Sequence, residues 1–312
     1  MHRTFIRLGW LLVGLFGAFG CDSAAGDVSG TGGSNSTSTG TTTTATCGSG
    51  DTSEPIVNGG CQPKAIVSST VMSGPYDTKT YCLGNREYYL QVNEWNSTAT
   101  QTLAVGGNFF FKVTKQEASV ATNGGPSGYP SMFIGANDNR VTRGSGLPKA
   151  VTAISSVPTT WNWADNGAVD SGNNIYNAAY DVWFSVNAGG DPTERNPSGG
   201  FLMVWLHKPS GAQPIGSVQY PGVTISGIPG TWDVWVGTNQ GARVPCISYV
   251  RKEDPAYSMS FDLNLFIQDA VKKRPNTITD KMYLTNIFAG FEIWKGGVGL
   301  QTTGFCAGVN SL

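Results

Sequence analysis

The sequence predicts an all-β domain, and three observations carry that expectation. Only 13% of its 312 residues are charged, while Gly numbers 42, Trp 9, Tyr 11 and Phe 14. Segments rich in aromatic and β-branched residues recur along the chain, each broken by Gly, Pro or Asn. A single segment has helical spacing instead. The net charge of −1 offers no field for nucleic acid or for an acidic surface, so no nucleic-acid partner is expected.

The elements follow in order. Arg3 and Arg7 form a basic n-region, and the apolar run Gly9 to Gly20 is too short to span a bilayer. Ala18-Phe19-Gly20-Cys21 resembles a bacterial lipobox, in which the cysteine is lipidated and becomes the mature N-terminus. Alanine stands where leucine is more usual, which keeps an ordinary signal peptide open as the alternative. Residues 1–20 are therefore expected to be a signal peptide of lipoprotein type, with the chain exported. It is then either held at a membrane by acyl chains on Cys21 or released outside the cell. Residues 21–60 include TGGSNSTSTGTTTTATCGSG, which has nothing apolar to bury, and they predict a flexible Ser/Thr/Gly-rich linker. Residues 61–312 fall within the size of a single all-β domain, expected to act as a monomer.

Strand signals in that domain lie at Tyr88–Trp95, Thr102–Val113, Tyr176–Val186, Phe201–Lys208, Thr231–Val236, Cys246–Arg251, Lys281–Trp294 and Val298–Ala307. The helix signal is Leu263, Phe266, Ile267, Ala270 and Val271. Asp262 is its expected N-cap, Lys272-Lys273-Arg274 charge its last turn, and Pro275 ends it. Export makes disulfides expected among Cys47, Cys61, Cys82, Cys246 and Cys306. Cys61–Cys82 is the preferred bridge, Cys246–Cys306 a weaker pairing, and Cys47 the odd thiol.

The segment Ala289–Leu300, AGFEIWKGGVGL, sets Glu292 in an apolar, glycine-flanked run with Trp294 two positions on. Residues two apart on a strand share a face. A carboxyl in apolar surroundings titrates high, as a general acid requires, and an indole beside it suits stacking on a sugar ring. By spacing alone, a strand-edge glutamate facing water is the favoured reading of Glu292.

Other segments change that balance. In order along the chain come Val92-Asn93-Glu94-Trp95, Gly128-Tyr129-Pro130-Ser131 and Tyr176-Asn177-Ala178-Ala179-Tyr180-Asp181-Val182-Trp183. Leu202-Met203-Val204-Trp205-Leu206, Pro214-Ile215-Gly216-Ser217 and Thr231-Trp232-Asp233-Val234-Trp235 follow, ahead of AGFE. From Tyr88 to the C-terminus this series resembles glycoside hydrolase family 12, the small all-β endo-β-1,4-glucanases and xyloglucanases. The resemblance implies a β-jelly roll of two curved antiparallel sheets with one packed helix and an open cleft. It implies that Glu292 is the acid/base and that Asp181 supports the nucleophile. Asn93 and Trp95 match a sugar-stacking N-x-W, although Asn96 replaces the usual following glycine. Met203 and Trp205 match cleft-lining positions, and Tyr129, Trp294 and Trp235 extend the candidate sugar-binding set. In the family a glutamate nucleophile stands directly before the LMVWL-type run, and here Phe201 occupies that position.

A phenyl ring forms no glycosyl ester, and a one-residue slip would turn the whole strand over, so misalignment does not restore the missing carboxylate. Glu194, seven positions upstream, reads as a solvated loop residue or a displaced nucleophile. Asp181, without its usual partner, is a substitute base acting through water, or simply a buried acid. Trp161, Trp163 and Trp183 read as core. The only histidines are His2 and His207, which leaves no material for a Ser-His-Asp triad or a multi-histidine metal site. No metal or cofactor is expected. Asn137-Asp138-Asn139 and Asp165-Asn166-Gly167 lack calcium-loop spacing and read as turns. The partner implied is a β-1,4-glucan: cellulose, mixed-linkage glucan or xyloglucan. An endo-hydrolase with an altered nucleophile competes with an inactive glucan-binding surface lipoprotein. A purely structural surface protein is the third reading.

Overall fold

The computed structural model describes residues 66–312, apart from 84, 85, 108 and 109. The signal segment, the linker, Cys21, Cys47 and Cys61 lie outside the described residues, as does the side chain of Cys82.

Two sheets carry the fold. The smaller takes, side by side, Ile66–Met72, Gln101–Gly107, Phe111–Gln116, Gln301–Ala307, Pro158–Ala164 and Ser258–Asp262. The larger runs Ser217–Ile225, Ile228–Thr238, Pro245–Arg251, Gly200–His207, Ala178–Ser185, Tyr283–Gly290, Ser131–Asn137, Arg86–Gln91 and Thr78–Leu83. Neighbouring strands in both are antiparallel, except that Gly200–His207 runs parallel to Pro245–Arg251. With one packed helix, Asn264–Lys273, this is the expected β-jelly roll.

Strand alternation sorts the side chains of the larger sheet. Tyr180, Val182, Phe184, Leu202, Val204, Leu206, Trp232 and Val234 turn inward and join the main apolar core. Ala179, Asp181, Trp183, Phe201, Met203 and Trp205 turn to the opposite, outer face. Trp161 and Trp163 are buried in the core as expected. Trp183 is not: it stands two residues from Asp181 on the same strand and belongs to the outer face. Its period-two position, not its size, decides where it points.

Several boundaries differ from expectation. Thr102–Val113 is two strands, and Ser131–Asn137, Pro158–Ala164 and Ser217–Ile225 form without having been expected. Ser131–Asn137 is buried on both faces, and Ser217–Ile225 is largely exposed, so neither shows the half-buried alternation that marks a strand in sequence. The N-cap of the helix is Leu263 and not Asp262, which ends the preceding strand, although the Asp262 carboxylate does accept the amide of Asn264 at 3.0 Å. The clusters 137–139 and 165–167 are turns, with positive φ at Asp138, Asn139, Asn166 and Gly167. Cys246 is a buried free thiol, so the Cys246–Cys306 bridge does not form. It sits near the start of the Pro245–Arg251 strand, in register with Phe201. Among the described residues, no cluster of side chains is suited to a metal, and no helix is long and apolar enough to cross a membrane.

Candidate active-site face

Glu292 does not lie within a strand. It falls in the break between Tyr283–Gly290 and Ile293–Lys295. Gly290 explains the approach: a Cβ there would meet Pro130 O at 2.3 Å, so only glycine lets this strand end close on the Pro130–Ser131 backbone. Beyond it, Glu292 is held by Asn177. The Asn177 amide donates to Glu292 O at 2.9 Å, Glu292 N donates to Asn177 Oδ1 at 2.9 Å, and Asn177 Nδ2 donates to Glu292 Oε2. Asn177 is itself fully buried. No spacing rule singles it out, although it opens the NAAYDVW segment.

Burial pushes the Glu292 carboxyl up to about 8, the charge of Asp181 adds to the rise, and the Asn177 hydrogen bond opposes it. That shift favours the protonated form of Glu292, the state a general acid needs. Asp181 is pushed up to about 7 by burial, against the pull of the Trp183 N–H. Trp183 Nε1 donates to Asp181 Oδ2 at 2.9 Å, and the Val182 backbone N–H adds a second, weaker pull on the carboxylate. Tyr129 stands near both acids. Its hydroxyl donates to Ala179 O at 2.7 Å, and it is held well above its ordinary range by burial first and then by the charges of Asp181 and Glu292.

Phe201 lies on the outer face and packs flat against Trp183, with ring centroids 4.3 Å apart and planes 17° from parallel. Met203, Trp205 and Trp294 share that cluster, each at most 4% exposed, with Val120, Ala212, Ile215 and Val244 packed around them. Trp294 is thus no open stacking platform. Its indole N–H donates to Gly124 O at 2.9 Å, and the ring closes the apolar cluster beside Glu292. Trp235 is partly buried against the same cluster.

Trp95 is the open ring, at 47% exposure. The Asn93 backbone is left-handed, at φ 50, a conformation Asn tolerates better than most residues. Asn93 O accepts the Tyr129 amide at 2.9 Å, tying the Trp95 loop to the segment that leads into the Ser131–Asn137 strand. Between them Glu94 turns inward and is buried, which sends Trp95 out. Glu194 is held in its loop by Asn187 Nδ2 at 2.8 Å. His207 pairs through Nδ1 with Asp254 at 2.7 Å and packs against Tyr176 and Trp163 at the strand end.

A jelly roll with a clamped glutamate and a second half-buried carboxyl on its outer sheet has the framework of a glycoside hydrolase. Comparison with known proteins makes the class specific. Residues 86–310 match the family model described as Glycosyl hydrolase family 12, and the chain belongs to that family. It is 32% identical over 169 residues to a probable cellulase Cel12b of Mycobacterium tuberculosis, a match covering 54% of this chain and 99% of that one. It is 32% identical over 153 residues to the xyloglucan-specific endo-beta-1,4-glucanase A of Aspergillus aculeatus, covering 48% of this chain but 56% of that protein. Among solved structures, endoglucanase cel12A from Rhodothermus marinus superposes with a TM-score of 0.67 at 30% identity, covering 78% of this chain and 100% of the other. These relatives support an endoglucanase type of function.

Proposed function

We propose that this chain is a β-1,4-glucan-directed protein of endoglucanase type in which chain binding dominates and hydrolysis is slow. One observation carries the reading. Phe201 stands where family resemblance calls for the nucleophile, and its ring is packed flat on Trp183. No carboxylate is offered there to form a glycosyl ester. Glu292 supports retained acid/base chemistry, since burial and the Asn177 clamp keep it protonated and oriented. Trp95 supports glucan stacking from an exposed position, whereas Met203, Trp205, Tyr129 and Trp294 act from beneath, as a packed floor. Cellulose, mixed-linkage glucan and xyloglucan remain the substrate class, and the relatives include a probable cellulase and a xyloglucan-specific endo-beta-1,4-glucanase.

The second reading is a purely binding surface lipoprotein. The apolar Phe201–Trp183 pair favours it, because that pair serves a resting sugar chain better than a transition state. In both readings the chain is exported through residues 1–20, either anchored at Cys21 or released, and acts as a monomer. Migration of the purified domain through gels containing barley β-glucan or xyloglucan tests the shared claim. Retardation that is lost in Trp95→Ala supports it, and free migration in both gels contradicts it.

A further inference from the structure

We propose that Tyr76 is a second open stacking position for the glucan chain, holding a glucosyl unit further along the chain from the one on Trp95. The inference rests on the glucan-directed reading above. It adds a binding residue from outside residues 86–310, the segment that matches the family model.

Exposure singles Tyr76 out. Among the described residues, the large exposed rings are Tyr76 at 61%, Trp95 at 47% and Tyr257 at 43%. Tyr257 is committed elsewhere: its hydroxyl donates to Asp165 at 2.7 Å, and its ring packs on Trp163 with centroids 4.5 Å apart. Tyr76 lies in residues 73–77, between the strands Ile66–Met72 and Thr78–Leu83.

Register then places Tyr76 beside Trp95. Thr78 pairs with Gln91, and two backbone bonds carry that ladder past the strand end. Val92 N–H donates to Asp77 O at 3.0 Å, and Glu94 N–H donates to Pro75 O at 2.9 Å. The same register sets Tyr76 across from Asn93, and opposed residues share a face. The left-handed backbone at Asn93 does not break the ladder, since the Glu94–Pro75 bond lies beyond it. Tyr88, Leu90 and Val92 enter the main core and Glu94 is buried. Tyr89 and Gln91 turn the other way, to Phe133 and Ser131. Asn93 and Trp95 continue that outer row, on the face that also carries Phe288 and Trp183. Tyr76 joins it there, with Trp95 as its diagonal neighbour roughly 7–8 Å away between backbones.

The turn holds the ring in place. Asp77 Oδ2 accepts the amides of Ser73 at 3.1 Å and Gly74 at 2.8 Å, and the Asp77 amide donates to Gly74 O at 3.0 Å. A Cβ on Gly74 would stand 2.5 Å from Asp77 Oδ1, so glycine leaves the carboxylate room to close over the turn. Pro75 fixes its own φ directly before Tyr76. A ring on a fixed backbone loses little entropy when a ligand covers it. A glucan chain is the occupant that fits. It is neutral and extended, its sugars present flat C–H faces, and two separated rings on one face can engage it at two points. A protein partner would need a continuous apolar core, whereas Ser73, Pro75 and Asp77 around Tyr76 are all exposed.

Calorimetric titration of the purified protein with cellohexaose tests the inference. Tyr76→Ala is expected to weaken binding about 5-fold, the scale of one aromatic contact. Tyr76→Phe and Tyr76→Trp keep a ring and are expected to stay within about 2-fold of wild type. At 61% exposure the ring adds little to the fold, so the melting temperature should not move in any of the three. Undiminished binding by Tyr76→Ala overturns the inference. So does a loss in Tyr76→Phe as deep as in Tyr76→Ala, which would assign the effect to the hydroxyl. If Trp95→Ala loses cellohexaose while Tyr76→Ala binds it as wild type does, only the inference falls. If wild type binds neither cellohexaose nor β-glucan, the proposed function falls with it.

Discussion

The two ends of the candidate site follow different chemical rules. At Glu292, a polar clamp is complete: Asn177 spends its backbone N–H and both ends of its amide on one residue. At Phe201, aromatic packing has replaced charge, and the ring lies flat on Trp183, whose N–H is diverted to Asp181. The first end has the protonation and orientation of an acid catalyst. The second provides a surface. Substrate recognition and proton delivery can thus persist in a fold from which the attacking group is gone, because Glu292 and Phe201 are held by different segments.

The largest expected effect that separates the ends is Glu292→Gln. Whatever hydrolysis of β-glucan the wild type has should fall by about 10³-fold or more, some 4 kcal/mol of barrier, with binding in β-glucan gels intact. The same variant should change how stability depends on pH. Glu292 is protonated in the fold up to about 8, whereas an unfolded glutamate ionises near 4.5. The native state therefore holds the extra proton, and stability falls as pH rises from about 4.5 to 8. Thermal melts should show Glu292→Gln more stable than wild type at pH 9 and equal to it near pH 4. A gain at pH 4 instead would contradict the burial of a neutral acid.

A smaller effect belongs to the clamp. Asn177→Ala, measured in a Phe201→Glu background, should lower kcat by roughly 10-fold. It should also move the alkaline limb of the pH profile upward, because the lost hydrogen bond favoured the ionised form of Glu292. An alkaline limb that stays in place would reduce Asn177 to a packing residue. The smallest structural effect is expected at Trp95. Its ring is 47% exposed, so Trp95→Ala should leave the melting temperature within about 2 °C while weakening glucan affinity by roughly 10-fold.

Much of this contrast is legible in the sequence. AGFE-x-W, the YD pair and the LMVWL run locate the strands, and Phe201 is conspicuous in the last of them. Alternation then puts Phe201, Met203 and Trp205 on one face, as the structure has them. Three features were not legible. Asn177 works through contacts 115 residues distant in sequence, which no local pattern encodes. Trp183 looks like any large core ring until its register with Phe201 is fixed. Trp294 follows Glu292 at the right spacing for a sugar platform, yet the break in the strand at Glu292 and the neighbours Met203 and Trp205 bury it. Strands covered on both faces, such as Ser131–Asn137, carry no period-two signal and stay hidden for that reason.

The outer face lacks only its nucleophile. Reducing-end release from barley β-glucan and xyloglucan by wild type and Phe201→Glu, side by side, tests it most directly. Release should be slow or undetectable in wild type and rise by about 100-fold or more in Phe201→Glu, whose carboxylate would stand at the level of Trp183, on the strand adjacent to that of Asp181. Rapid release by wild type, lost rather than gained in a folded Phe201→Glu protein, would contradict it.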